Sequence, residues 1–200
     1  MSEPATRARK KPQPPRDTGD DLKAFVIESN RIEGIESKAE MMQALAVHRD
    51  LLVHNNITVN DLKHFVERIA PGHKLRAYAG FDVRVGDYIA PPGGTQITRE
   101  LSNILARAKK YRGKSAAAYQ LHVEYEMLHP FTDGNGRSGR FLWLWMLYHE
   151  GKIPEGAFLR WWFSRIPNNT SPLPEVTALE PQASRNFKYL QLHYYRSLAS

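Results

Sequence analysis

Twelve consecutive residues near the middle of the chain decide how it is organised: His129-Pro130-Phe131-Thr132-Asp133-Gly134-Asn135-Gly136-Arg137-Ser138-Gly139-Arg140. Apolar residues at helical spacing lead up to this segment from Ser115 to Leu128, and Pro130 ends that run. A second helix, apolar on most sides, is predicted from Arg137 to Glu150 and is closed by Gly151. The segment therefore joins the end of one helix to the start of the next.

The segment has the composition of an anion-binding loop. Gly134 and Gly136 allow backbone conformations in which successive N–H groups converge, and the dipole of the following helix points to the same place. Arg137 and Arg140 are three residues apart, so we expect both guanidinium groups to project from one helix face near that cradle. Two arginines beside such a loop predict a polyphosphate ligand.

Two further side chains add chemistry to the loop. Asp133 supplies a carboxylate beside the phosphates, where Mg²⁺, which prefers oxygen ligands, would bridge protein and nucleotide. His129 lies at the mouth of the loop, and a reference pKa of about 6.5 suits a general base at neutral pH. The residues alone thus predict a nucleotide site with a base beside it.

The whole segment resembles the signature of the Fic family, HPFx[D/E]GN[G/K]RxxR, and matches it at every signature position. The resemblance extends more weakly to the preceding helix, through His122 and Tyr125, and to residues upstream, and covers about residues 20–166. It implies a protein adenylyltransferase, which transfers AMP from ATP to a Ser, Thr or Tyr hydroxyl of a target protein and releases pyrophosphate. The implied cofactors are ATP, as the substrate, and Mg²⁺.

The resemblance also implies a role for each residue of the segment. His129 would deprotonate the target hydroxyl, and Asp133 would hold Mg²⁺ on the α- and β-phosphates. Arg137 and Arg140 would hold the β- and γ-phosphates, and Phe131 would anchor the loop in the core. The phosphate loop itself would be lined by Gly134, Asn135 and Gly136.

A short hairpin is predicted upstream, at about residues 81–92 around Gly86-Asp87. By resemblance it corresponds to the family's flap, which aligns a segment of the target protein by strand addition. The residues that would dock the target are Val83, Arg84 and Val85.

A second motif lies near the N-terminus, where residues 29–34 read Ser-Asn-Arg-Ile-Glu-Gly and match the inhibitory pattern [S/T]xxxE[G/N]. A purely structural interpretation makes it a helix C-terminus with Gly34 in the left-handed conformation. The functional interpretation adds that Glu33 reaches Arg140 and competes with the γ-phosphate, with Ser29 as the other motif residue. The chain then resembles the subgroup that is inhibited by its own N-terminal helix.

The rest of the sequence predicts a mainly all-α fold, a Fic-like helical bundle with a short β-hairpin flap. One domain is expected over 20–200, behind a disordered basic and proline-rich tail at 1–19. The predicted elements are an inhibitory helix at about 20–34, a helix from Ser37 to Val53, one capped by Thr58 or Asn60 that ends before Pro71, one from about Thr98 to Lys110, and C-terminal helices at 155–200.

The composition and charge of the chain limit the kinds of partner and location that we expect for it. The net charge is +7, but part of it lies in the tail, where no aromatic residue is interleaved to stack on bases, so a nucleic-acid partner is not expected. The longest apolar run, Phe141 to Tyr148, is too short to span a membrane. The absence of cysteine suits a reducing compartment and a cytoplasmic location, with delivery into another cell left open. Pairing into a homo-oligomer is also left open.

Two other glycine motifs overlap this region. Gly134, Gly136 and Gly139 fit the dinucleotide-binding fingerprint, but that motif must follow a strand and the preceding residues are helical. Gly113-Lys114-Ser115 has the form of the end of a P-loop, but Ala108 stands where its first glycine would be. Both interpretations are rejected.

Single residues leave other interpretations. Glu126 and His129 have the Glu-x-x-His spacing of di-iron bundles, but a second copy is missing. His122 is expected to be a packing or hydrogen-bonded histidine. Two functional alternatives remain open for the chain: a nucleotide-binding regulatory module with negligible turnover, and an enzyme that removes AMP from a modified protein.

Overall fold

The computed structural model describes residues 18–85 and 88–148, and these residues are mostly helical. Within them the chain forms six helices and one pair of short antiparallel strands. In chain order the elements are α1 (Thr18–Ile32), α2 (Lys38–Leu52), α3 (Val59–Ile69), β1 (Arg84–Val85), β2 (Tyr88–Ile89), α4 (Thr95–Lys110), α5 (Ser115–Leu128) and α6 (Asn135–Leu147). The predicted mainly α fold with a small hairpin is confirmed.

Capping side chains set the starts of two helices. The Ser37 hydroxyl accepts a hydrogen bond from the backbone N–H of Glu40 at 3.4 Å, at the start of α2. Thr58 and Asp61 form a complete capping box at the start of α3: the Thr58 hydroxyl accepts from the Asp61 N–H, and the Asp61 carboxylate accepts from the Thr58 N–H. Of the two predicted caps for α3, Thr58 is therefore the one used.

Three helices have bounds that differ from the predicted ones. Helix α1 begins at Thr18, so residues 18 and 19 belong to the helix and not to the tail. Helix α4 begins at Thr95, after its N-cap Gly94, and not at about Thr98 as predicted. Helix α6 begins at Asn135 and ends at Leu147, since Gly134 in the left-handed conformation is its N-cap.

Helix α6 is the centre of the core. Residues 141–146 are all buried, which confirms the predicted buried helix. Phe141 stacks on Phe65 of α3 with the ring centroids 4.6 Å apart, and Trp143 stacks on Phe25 of α1 at 6.5 Å. The start of α6, which carries the glycines and arginines of the motif, is consequently held between α1 and α3.

Several predicted features lie outside the described residues. They are the tail up to residue 17, the tip of the hairpin at 86–87, and the C-terminal helices at 155–200. Among the described helices, none is both long and apolar enough to cross a membrane.

Candidate active site

The chain reverses direction at His129, which caps the C-terminus of α5 in the left-handed conformation, with φ 49° and ψ 60°. Its N–H still donates to the Tyr125 carbonyl at 2.9 Å, so the histidine is fixed to the last turn of the helix. It is the one non-glycine residue with positive φ in the described part of the chain. Pro130 follows this reversal. The predicted active-site residue, His129, therefore holds a left-handed backbone conformation that L-residues disfavour.

The loop between α5 and α6 is closed by the side chain of Asn135. Its Oδ1 accepts from the Phe131 N–H and its Nδ2 donates to the Phe131 carbonyl, both at 2.8 Å. Phe131 is itself buried in the core, as expected of an anchor. The side chain of Asn135, a residue expected to line the phosphate loop, thus bonds the loop backbone and closes the turn.

Helices α5 and α6 approach closely behind the loop. The Ser138 hydroxyl contacts the Tyr125 hydroxyl at 2.7 Å and the Gly134 carbonyl at 2.8 Å, all buried. A Cβ on Gly139 would collide with the Glu126 carboxylate and lie 3.0 Å from the Tyr125 ring. Tyr125 and Ser138 hold the site together, and the sequence did not single out either one for that role.

The His129 ring is half-buried, and its Nδ1 lies 3.2 Å from the Glu126 carbonyl. Burial is the main cause that lowers the pKa of His129 to about 4. The nearby Arg76 cation acts in the same direction, while the hydrogen bond to the Glu126 carbonyl and the charges of Asp133 and Glu33 oppose it. The ring is therefore neutral at pH 7, more firmly than the reference pKa suggested. Because a carbonyl can only accept, Nδ1 carries the proton and Nε2 has a free lone pair.

Arg140 is completely buried and is bound by α1. Its Nε donates to the Ser29 hydroxyl, and its Nη2 donates to both the Ser29 carbonyl and the Glu33 carboxylate, each at 2.9 Å. The structure thus contains the Glu33–Arg140 contact that the N-terminal motif predicted. The remaining nitrogen, Nη1, has no hydrogen-bond partner among the described residues.

Arg137 is also buried, but its guanidinium turns to another helix. Its Nη1 donates to the Ile69 carbonyl at the end of α3, at 2.6 Å, while its Nε has no partner in the part of the chain that is described. Burial lowers the pKa of Arg137, although the carboxylates of Glu33 and Asp133 act against this. The two arginines therefore do not both project freely into the cradle; each leaves one nitrogen available.

The backbone of Gly136 forms the cradle of the anion site. A Cβ at this position would collide with the Glu33 carboxylate and lie 3.0 Å from Nη1 of Arg140. The carboxylate therefore rests against the first turn of α6, whose N–H groups have no intrahelical acceptor. Gly136, which has no side chain, leaves room for the Glu33 carboxylate at the start of α6.

Asp133 lies on the outer side of the loop, with its side chain 61% exposed. Its Oδ1 accepts from the Gly134 N–H at 2.6 Å, and its Oδ2 is 3.7 Å from Nε2 of His73. The described residues contain no group of three or more His, Asp or Glu side chains that could hold a metal ion. A single exposed carboxylate still fits Mg²⁺ that arrives with a nucleotide, because such ions take most of their ligands from phosphates and water.

The hairpin lies beside the end of α5. Arg84 pairs with Ile89 and Val85 with Tyr88, and the Ala90 N–H donates to the Val83 carbonyl at 3.1 Å. The Tyr88 hydroxyl donates to the Met127 carbonyl at 2.6 Å. The three predicted docking residues therefore lie on the first strand or next to it, at a fixed distance from the loop.

Two buried histidines have structural positions. His122 is buried between α5 and α6, as expected of a packing histidine, and burial lowers its pKa to about 3. His48 donates from Nδ1 to the Ala44 carbonyl at 2.7 Å, and its ring meets Phe65 and Phe141 edge-on. Burial lowers the pKa of His48 to about 4, so both rings are neutral at pH 7.

Fold and site together define a class: a small helical domain that presents a histidine and an anion-binding helix start on one loop. The family model described as the Fic/DOC family matches residues 43–147, more than half of the chain, and the chain belongs to that family. The chain is also similar to a protein from Nematostella vectensis called protein adenylyltransferase Fic, with 24% identity over 136 residues. That match covers 64% of this chain and 31% of the relative, so the chain spans less than a third of the relative's length.

Proposed function

We propose that this chain transfers AMP from ATP to a Ser, Thr or Tyr hydroxyl of a target protein, and that Glu33 restrains the transfer. The observation that carries the proposal is the position of a neutral histidine and an anion cradle on one rigid loop, in a member of the Fic/DOC family. The name of the Nematostella vectensis relative supports the same activity.

Two buried guanidinium nitrogens support phosphate binding. Nη1 of Arg140 and Nε of Arg137 have no acceptor among the described residues, and a buried donor without an acceptor costs about 1–3 kcal/mol. A phosphate above Gly136 would satisfy Nη1 of Arg140 and would also accept from the first turn of α6. Arg140 then holds the γ-phosphate and Arg137 the β-phosphate, while the main chain of Gly134, Asn135 and Gly136 lines the loop.

His129 would act as the general base. Its Nε2 accepts the proton of the target hydroxyl while the hydroxyl oxygen attacks the α-phosphorus of ATP. A new oxygen–phosphorus bond forms, the bond from the α-phosphorus to the bridging oxygen breaks, and pyrophosphate leaves with that oxygen. The low pKa of His129 keeps Nε2 unprotonated at neutral pH, and its contact with the Glu126 carbonyl keeps the ring oriented.

Asp133 would hold Mg²⁺ on the α- and β-phosphates. When bound, the ion neutralises phosphate charge. Asp133 donates no proton to the reaction in this scheme; its role is to keep one carboxylate oxygen turned outward while the other is bonded to the Gly134 N–H.

The hairpin would align the target protein. With only two described strands, it offers outer strand edges to which an extended segment can add by main-chain hydrogen bonds. Val83, Arg84 and Val85 are the residues proposed to contact that segment. The Tyr88–Met127 hydrogen bond would hold the docked segment near His129.

Glu33 would restrain transfer by occupying the phosphate position. Its bond to Arg140 is charge-assisted, and such bonds contribute roughly 1.5–3 kcal/mol, which corresponds to roughly 10- to 150-fold in an equilibrium. The restraint is therefore large enough to suppress activity and small enough to be overcome. Ser29 supports it by holding the same guanidinium through its hydroxyl and its carbonyl.

The activity can be tested by incubating the Glu33→Gly variant with cell lysate and ATP labelled at the α-phosphate. The expected result is a labelled protein band that is missing with the Glu33→Gly/His129→Ala variant. ATP labelled at the γ-phosphate serves as the control, because AMP transfer leaves that label on pyrophosphate. Label transferred from the γ-position, or no His129-dependent label, would contradict the proposal.

The first alternative gives a different outcome in this experiment, and the second is tested by a separate incubation with a modified target. A regulatory module binds ATP but transfers no label, even in the Glu33→Gly variant. An enzyme that removes AMP releases label from a previously modified target in the wild-type form, and Glu33→Gly lowers that release, because the glutamate would then help to position water.

A further inference from the structure

Arg76 is a buried cation that the sequence motifs did not include. Its side chain is completely buried, although it lies in the irregular segment between α3 and the hairpin. The four hydrogen bonds described for its guanidinium all go to backbone carbonyls. Nε donates to His129 at 2.6 Å, Nη2 to Leu128 at 2.8 Å, and Nη1 to Pro91 at 2.7 Å and Phe81 at 3.2 Å.

These carbonyls belong to two parts of the site. Leu128 and His129 are the last residue of α5 and its C-cap, where the carbonyls have no intrahelical donor and a cation is favoured. Phe81 precedes β1 and Pro91 follows β2, so they form the base of the hairpin. One guanidinium therefore joins the base of the hairpin to the main chain of the histidine.

The backbone around Arg76 strengthens the same connection. Its N–H donates to the Pro130 carbonyl and its carbonyl accepts from the Gly94 N–H, both at 2.9 Å. Leu75 and Phe131 form an antiparallel bridge, so residues 74–76 lie alongside the loop. His129 holds a left-handed conformation that costs about 1–3 kcal/mol and needs surrounding structure to maintain it.

We infer that Arg76 is a positioning residue of the transfer reaction, which fixes His129 and the hairpin relative to each other through four backbone hydrogen bonds. The inference rests on the proposed function. Arg76 touches neither the nucleotide nor the reacting hydroxyl in this account. It determines where the His129 ring points and how far the docked target segment lies from it.

The test uses the full chain with Glu33→Gly as the parent and adds Arg76→Lys or Arg76→Met. Lysine keeps the charge but cannot make four bonds in fixed directions. We expect kcat for label transfer to fall about 10- to 100-fold in Arg76→Lys, since misplacement by about 1 Å costs that much, while KM for ATP changes less than about 3-fold. Arg99→Met, which changes an exposed arginine on α4, is the matched control and keeps the parent kcat.

A second readout does not depend on activity. Burial and the Arg76 cation both lower the pKa of His129, so the NMR titration of the ring should shift upward in Arg76→Lys, where the ring loses its fixed position, and further upward in Arg76→Met, where the charge is lost as well. A fully active Arg76→Lys overturns the inference. So does a loss of kcat that matches the loss of folded protein in a thermal melt. If the Glu33→Gly parent transfers no AMP, the proposed function fails. The inference about Arg76 is then tested separately, because an unchanged pKa of the His129 ring in Arg76→Met overturns it.

Discussion

The α5–α6 unit (residues 115–147) and helix α1 meet at Arg140, yet they are held in place differently. Inside the unit, Asn135 closes the loop through two buried hydrogen bonds to Phe131. Arg140 is held by Ser29 of α1 and by Glu33, the residue that follows the helix, and the Glu33 side chain is 24% exposed. This difference indicates that the α5–α6 unit, the proposed catalytic part, is preorganised. The proposed restraint by Ser29 and Glu33 consists of a few polar contacts, which a competing anion can replace.

The largest effect should come from removing the base of the α5–α6 unit. In the Glu33→Gly background, His129→Ala should lower label transfer by at least about 100-fold, because general base catalysis contributes about 10²–10⁴ in rate. The measurement is incorporation of label from ATP tagged at the α-phosphate. His64→Ala, at an exposed histidine of α3, is the control and should keep the parent rate. Equal losses in both variants would mean that His129 is not the base.

Acid should destabilise the folded chain through three histidines whose pKa burial lowers. Two of them lie in the α5–α6 unit, and the third, His48, lies on α2. Burial lowers the pKa of His48 and His129 to about 4 and that of His122 to about 3, whereas an unfolded chain protonates these rings near about 6.5. The unfolded state therefore binds more protons below that value, so the contribution is intact above about pH 6.5 and is lost as the pH falls toward 4.

Over the interval from pH 7 to pH 4 the expected loss is roughly 3 kcal/mol for each of the three rings, because each unit of pKa difference corresponds to about 1.4 kcal/mol. Chemical denaturation at several pH values between 7 and 4 measures it. Replacing the exposed His64 should leave the slope unchanged. A free energy of unfolding that is flat over this interval would show that the rings are protonated in the folded protein as easily as in the unfolded one.

A smaller effect should come from opening the loop of the α5–α6 unit. Asn135→Ala leaves the N–H and carbonyl of Phe131 without partners in a buried place, and should lower the free energy of unfolding by about 2–3 kcal/mol. The control is Asn103→Ala, at an exposed residue of α4, with an expected change below about 0.5 kcal/mol. Equal stability of the two variants would mean that the loop is not held by Asn135.

The smallest effect is expected on the α1 side of the comparison. Ser29→Ala removes the hydroxyl that accepts from Nε of Arg140, but the Ser29 carbonyl and Glu33 still hold Nη2. A hydrogen bond from a charged guanidinium to a neutral hydroxyl is worth about 1.5 kcal/mol, so label transfer should rise by up to about 10-fold. Ser102→Ala on α4 is the control. A decrease in transfer would indicate that Ser29 supports catalysis instead of restraint.

The amino-acid sequence predicted the fold where the pattern was local. Thr58 was one of the two predicted caps of α3, and the apolar residues 141–146 predicted a buried helix. The Glu33–Arg140 contact, across 107 residues, was also predicted, but only because a short motif resembled a known inhibitory pattern. Periodicity alone could not have paired these two residues.

The features that the sequence did not predict depend on distant partners or on burial. Arg76 bonds His129 across 53 residues, and Arg137 bonds Ile69 across 68, and no local pattern encodes either pair. The low pKa of His129 arises mainly from burial, which depends on how the helices pack. Asn135 matches the signature, but the signature does not reveal that its side chain forms hydrogen bonds with the Phe131 backbone.

The central claim is that Glu33 and a phosphate group compete for the guanidinium of Arg140. The most direct test is the ratio of the label-transfer rates of Glu33→Gly and wild type, measured at one ATP concentration. Glu36→Gly, at an exposed glutamate three residues further on, is the matched control. The account predicts a rate at least about 10-fold higher for Glu33→Gly, with Glu36→Gly equal to wild type. Equal rates for Glu33→Gly and wild type would contradict it.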